Sequence, residues 1–70
     1  MIKIDTIRHK LIEAIKYSGK QQKDIANLIG ITPQALAQYI SGKTMPTLET
    51  FANLCVALDL DANEILCIKN

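Results

Sequence analysis

The sequence predicts an all-α chain of five short helices, and three observations carry that prediction. Apolar residues return in steps of three and four almost everywhere, not in the alternation of a half-buried strand. Helix starts and stops are marked at four places by Gly, Pro, Ser, Thr and Asp. Composition supports a packed core: 49% of the 70 residues are hydrophobic, 21% are charged, and Gly and Pro number only three and two. At this length the expectation is one domain over residues 1–70, burying roughly 60% of its unfolded surface. That leaves little room for a deep enzyme cleft or a swallowed cofactor.

The first stripe is Ile4, Ile7, Leu11, Ile12 and Ile15, with Arg8, Lys10, Glu13 and Lys16 largely on other faces. Asp5 or Thr6 is the expected cap, and Tyr17-Ser18-Gly19 the expected stop, giving helix 1 about residues 5–18. Helix 2 runs from Gln22 to Ile29 with Ile25, Ala26 and Ile29 inward, and Gly30 ends it. Thr32 then caps a third helix whose first position, Pro33, loses nothing by lacking an amide hydrogen. It runs through Leu36 and Tyr39 to Ser41-Gly42. Lys43 to Pro46 reads as a loop, and Thr47 caps a fourth helix with the stripe Leu48, Phe51, Leu54, Cys55 and Leu58. Asp61 caps a last helix around residues 62–66.

The connection Gly30-Ile31-Thr32 joins two helices each too short to be stable alone, and three residues force a steep crossing. This is helix-turn-helix geometry over residues 22–41. Ala26 is small where the backbones approach, and Ile29, Leu36 and Tyr39 are placed to fill the interior.

On these residues the chain resembles the phage repressor and Cro-type helix-turn-helix DNA-binding domains. The resemblance rests on the segment from Gln22 to Thr32, on Gln38-Tyr39-Ile40-Ser41-Gly42-Lys43, and on Pro46-Thr47-Leu48-Glu49-Thr50-Phe51 leading to Leu58-Asp59-Leu60. Three segments in the right order and spacing make a far more specific signal than one helix-turn-helix pattern. The resemblance implies a compact five-helix bundle of the lambda-repressor-like type, with the third helix in the major groove of an operator.

The early exposed positions of that helix would meet base edges: Pro33, Gln34, Ala37 and Gln38. A glutamine bonds adenine N6 and N7 together, so Gln34 and Gln38, one turn apart and facing away from Leu36, are the expected readers. Pro33 and Ala37 offer only apolar contact, as with a thymine methyl. The resemblance gives Gln22 a phosphate contact, Thr32 a hydroxyl donated to phosphate while it caps helix 3, and Ser41 and Lys43 further donors from the loop. Taken singly, these are also what solvated glutamines, a plain cap and a solvated lysine look like.

The chain departs from the family in four places. Gln21 stands where Ser or Thr usually caps helix 2, Pro33 and Ala37 remove hydrogen bonds to bases, and the family's Arg–Glu pair between helices 1 and 3 is here Ile15 and Ile40. Two apolar side chains in place of a buried ion pair leave no uncompensated charge, so Ile15 is expected to touch Ile40.

The net charge is only +1. Its distribution is uneven: residues 1–43 carry seven cationic and three anionic side chains, residues 44–70 one and four. One face is therefore expected to meet an anion. Cys55 and Cys67 lack metal-ligand spacing, with His9 the one histidine, so reduced thiols and no metal or other cofactor are expected. His9, Glu13 and Asp24 read as solvated helix-face groups without a catalytic partner, which argues against an enzyme and against a small-molecule substrate. No signal-peptide stretch or membrane span is legible, and a cytoplasmic protein is expected.

Few base contacts give limited discrimination, so a homodimer is expected, with Ile65, Leu66 and Ile68 at the apolar C-terminal end as its surface. For Ile65 and Leu66, closing the monomer core is an equal alternative. The functional expectation is a sequence-specific transcriptional regulator, a repressor of phage or mobile-element type. The alternative is a protein-interaction module, such as an antirepressor, antitoxin-like partner or adaptor, that uses the same fold without touching DNA.

Overall fold

The structure, a computed structural model, describes residues 1–69. Five helices follow one another: α1 (Ile4–Lys16), α2 (Gln22–Ile29), α3 (Pro33–Ser41), α4 (Leu48–Leu58) and α5 (Ala62–Ile65). No strand occurs among the described residues.

Local chemistry accounts for most helix ends. α1 begins one residue earlier than expected and without a side-chain cap; Lys3 takes the capping position, and its carbonyl accepts from the amides of Thr6 and Ile7. Asp5 is drawn instead into an ion pair with Arg8 one turn on, so neither Asp5 nor Thr6 caps. The helix stops at Lys16, two residues short of the expectation, because Ser18 folds back and donates its hydroxyl to the Ile15 carbonyl at 2.7 Å. Gln21 gives α2 no side-chain cap. By contrast Thr32, Thr47 and Asp61 accept from backbone amides inside α3, α4 and α5, as their residue types foretold.

Gly30 closes α2 in the left-handed conformation at φ 73°, and the Ile31 amide returns to the Ala26 carbonyl at 3.0 Å. A residue with a Cβ is disfavoured there by roughly 1–2 kcal/mol, so glycine is what lets the chain reverse within three residues.

The core is Leu11, Ile15, Ile25, Ala26, Leu36, Leu54 and Ile65, drawn from all five helices. Ile7, Ile29, Tyr39, Ile40, Phe51 and Leu58 pack half-buried around it. α2 lies against both α3 and α4, and α1 against α3 and α5, so α2 and α1 together hold α3 from behind. The packing alters or settles the reading at four positions, the first being Ile4, which belongs to the expected α1 stripe yet is 53% exposed. Leu48 is 84% exposed: it is the first residue of α4, and the residue of that helix that is fully buried, Leu54, lies more than a turn further on. Cys55 is half-buried, not enclosed. Ile65 is 5% exposed and closes the core, so it has almost no surface left for a partner, whereas Leu66 is half-buried and Ile68 is 55% exposed.

Candidate nucleic-acid interface

At 3.6 residues per turn, positions 34, 37, 38 and 41 of α3 fall on one face and Leu36 on the other. Leu36 is fully buried against the core. That fixes which way α3 is rolled: Gln34, Ala37, Gln38 and Ser41 face out, and with Lys43 from the following turn they line one shallow hollow. Five of the eight residues expected to meet DNA are thereby brought together.

The two ends of α3 set this face. Thr32 Oγ1 accepts from the Ala35 amide at 3.0 Å, and Pro33 follows at the first helical position, both exposed. The Thr32 hydroxyl keeps its own proton free to donate outward. At the far end Gly42 turns left-handed, and the Lys43 amide closes on the Gln38 carbonyl at 3.0 Å. This ties Lys43 to the last turn of α3. Ser41 behaves differently from expectation: its hydroxyl donates back to the Gln38 carbonyl at 3.1 Å, so the proton meant for a phosphate is already engaged.

Gln22 does not join this hollow. It is exposed at the first position of α2 and lines a second hollow with Lys16, Lys20, Gln21, Ile15, Ile25 and Ile40. Ile15 and Ile40 thus share one site, Ile40 half-buried and packed on the cluster to which Ile15 belongs. Lys16 and Lys20 were not singled out from sequence. The signal was present only in the cationic excess of the first 43 residues.

Acidic groups gather elsewhere. Glu13, Asp59, Asp61 and Glu64 line a hollow between α1 and the α4–α5 end, with Lys10 and Tyr17. Glu13 is not isolated: it lies 2.9 Å from His9 Nε2, one turn back on α1. Lys69 donates to Asp61 at 2.9 Å. That hydrogen bond, more than any other contact, holds the Asp61 carboxyl below its ordinary range and the Lys69 ammonium above its own. Burial, and then the Asp61 charge, push the Cys55 thiol up. Among the described residues no cluster of His, Cys, Asp and Glu could hold a metal ion, and no helix is long and apolar enough to cross a membrane.

Two short helices packed together across a three-residue turn on a five-helix core, with an outward polar face on the second, define a helix-turn-helix domain of the DNA-binding regulatory class. Comparison with protein families makes the assignment particular: residues 11–65 match the helix-turn-helix family of the phage repressor and Cro type, and the chain belongs to it. No curated protein and no solved structure matches the chain.

Proposed function

We propose that this chain is a sequence-specific transcriptional regulator, a repressor of phage or mobile-element type, that acts by laying α3 in the major groove of an operator. The observation that carries the reading is the outward face of α3, with Gln34, Ala37, Gln38, Ser41 and Lys43 around one hollow and Leu36 locked in the core behind. In this reading Gln34 and Gln38 bond adenine edges, and Pro33 and Ala37 lie against thymine methyls. Thr32, Gln22 and Lys43 hold phosphates and set the register. Ser41 contributes only by giving up its bond to Gln38. The working form is a cytoplasmic homodimer with no cofactor. Leu66, half-buried, and Ile68, 55% exposed, are its proposed contact surface.

Selection of sites from a random duplex pool at two salt concentrations tests this. A palindromic motif with half-sites about 10 bp apart, and affinity that falls with salt, is the expected result. A single unpaired half-site removes the dimer, and no enrichment at low salt removes the DNA reading.

One observation favours the second reading, a protein-interaction module. Leu28 and Val56, 59% and 83% exposed, line an apolar hollow with Ile29, Asn53 and Ala57 between α2 and α4. A folded protein that ignores DNA, and whose association with a protein partner is insensitive to salt, would establish it.

A further inference from the structure

We propose that Arg8 is a positioning residue for DNA binding: its aliphatic stem braces the Gly42 turn from the α1 side and so holds Lys43 in place. The inference rests on the reading of Lys43 as a phosphate contact and names what keeps that contact aimed.

The turn after α3 is weakly held by its own bonds. Four donors converge on the Gln38 carbonyl: the Ser41 hydroxyl at 3.1 Å, the Lys43 amide at 3.0 Å, the Thr44 amide at 3.4 Å, and the Gly42 amide, which is shared with the Tyr39 carbonyl. A carbonyl oxygen has two lone pairs, so these donors compete. Gly42 is left-handed at φ 82° and has no side chain to pack. Ser41, Lys43 and Thr44 are all exposed. Support for the turn must therefore come from another element.

Arg8 supplies it. A Cβ placed on Gly42 would lie 3.5 Å from Arg8 Cδ, so the arginine stem runs beside the turn in the space that glycine leaves open. The stem is enclosed there: the Arg8 side chain is 30% exposed, and its Nε is buried without a hydrogen-bond partner. The far end of the guanidinium is turned to Asp5, which Nη1 engages. A two-pronged grip on phosphate needs either Nε or both terminal nitrogens. With Nε sealed and Nη1 engaged, neither edge is open, and Arg8 acts on the interface through its packing.

Arg8→Met and Arg8→Ala remove the same charge and keep good helix formers in α1, but only Met retains a stem, with Sδ in the place of Cδ. Their difference isolates the brace. Both are compared with the wild type, Lys43→Ala and Arg8→Ala/Lys43→Ala, each shown to be folded by circular dichroism, for affinity to a fixed duplex across a salt series. A phosphate contact contributes about 0.9 to the slope of log affinity against log salt. Arg8→Met is expected to keep the wild-type slope. Arg8→Ala is expected to lose most of the contribution of Lys43, and to lose nothing further once Lys43→Ala is present. The Lys43 amide reports the brace without DNA: its protection from exchange should fall in Arg8→Ala and hold in Arg8→Met. A Met variant that falls as far as the Ala variant overturns the brace, since the guanidinium itself would then be acting. An Ala variant with wild-type slope and protection overturns it, and so does an Ala loss that persists undiminished beside Lys43→Ala, because the effect would then bypass Lys43. In each of these cases DNA binding by the wild type stands. A folded wild type without affinity for any duplex overturns the brace together with the DNA reading.

Discussion

Thr32 carries two proposed tasks on one oxygen, and substitution separates them. Its Oγ1 accepts from the Ala35 amide at 3.0 Å and stands exposed at the start of α3. Thr32→Ala removes that acceptor and leaves an amide of the first turn without a side-chain partner; capping losses of this kind cost about 1 kcal/mol. For a domain of this size, that lowers the melting temperature by roughly 4–8 °C. Thr32→Asp restores the acceptor and adds a negative charge to the positive end of the helix, a gain of about 0.3–1 kcal/mol, so it should melt at or above the wild type. On DNA the order reverses. A carboxylate next to a phosphate is opposed by about 1 kcal/mol even at the dielectric of water, so Thr32→Asp should bind at least about fivefold more weakly than wild type. Thermal melts followed by circular dichroism, with fluorescence anisotropy on a labelled duplex, read both quantities. A Thr32→Ala variant that melts with the wild type refutes the cap as a source of stability. A Thr32→Asp variant that binds DNA as tightly as the wild type refutes the placement of Thr32 beside a phosphate.

Other consequences follow from the core and the C-terminal end. Leu36→Ala should cost about 2–5 kcal/mol, out of a total of roughly 4–10 kcal/mol for a chain of 70 residues; urea unfolding should show a large drop in midpoint, and a midpoint near wild type would mean that α3 is not anchored through Leu36. The folded-state pKa of Asp61 lies below its unfolded value, so its contribution is present at neutral pH and is lost as pH falls through the acid range. Lys69 has a raised folded value, so its share is lost only as pH rises through the ammonium range. The protection of the Ile65 amide, its exchange rate relative to the intrinsic rate at the same pH, should therefore be greatest between the two ranges and fall toward both; a protection factor that does not change with pH would exclude the linkage. Cys55, raised chiefly by burial, should alkylate more slowly than a free thiol at neutral pH, as a timed reaction with iodoacetamide followed by peptide mapping would report.

What the sequence made legible was local chemistry. Gly30, Thr32, Pro33, Thr47 and Asp61 act on atoms within four residues of themselves, and each does in the structure what its type requires. Even there a competitor sometimes won: Asp5 found Arg8 before it could cap, and Ser18 ended α1 early. Periodicity identifies which face of α4 turns inward, but not which turns along that face are covered, so the stripe includes Leu48, which stands outside the core. The choice for Ile65 between core and dimer surface depended on how α5 meets α1, a long-range contact that no spacing encodes. The second basic hollow was hidden for the same reason, since Lys16, Lys20 and Ile40 come from three segments that only the packing of α1 against α3 brings together. The face of α3 was readable because burying Leu36 alone decides where Gln34 and Gln38 point.

The central claim is that this face reads bases, and the comparison of Gln34→Ala, Gln38→Ala and Lys43→Ala on a selected duplex and on random duplex tests it most directly. Each glutamine variant is expected to lose about 1–3 kcal/mol, roughly 5- to 150-fold, on the selected site while random DNA changes little. Lys43→Ala should weaken both duplexes alike and lower the salt slope by about 1. Glutamine variants that weaken both duplexes equally, or neither, would contradict base reading by α3.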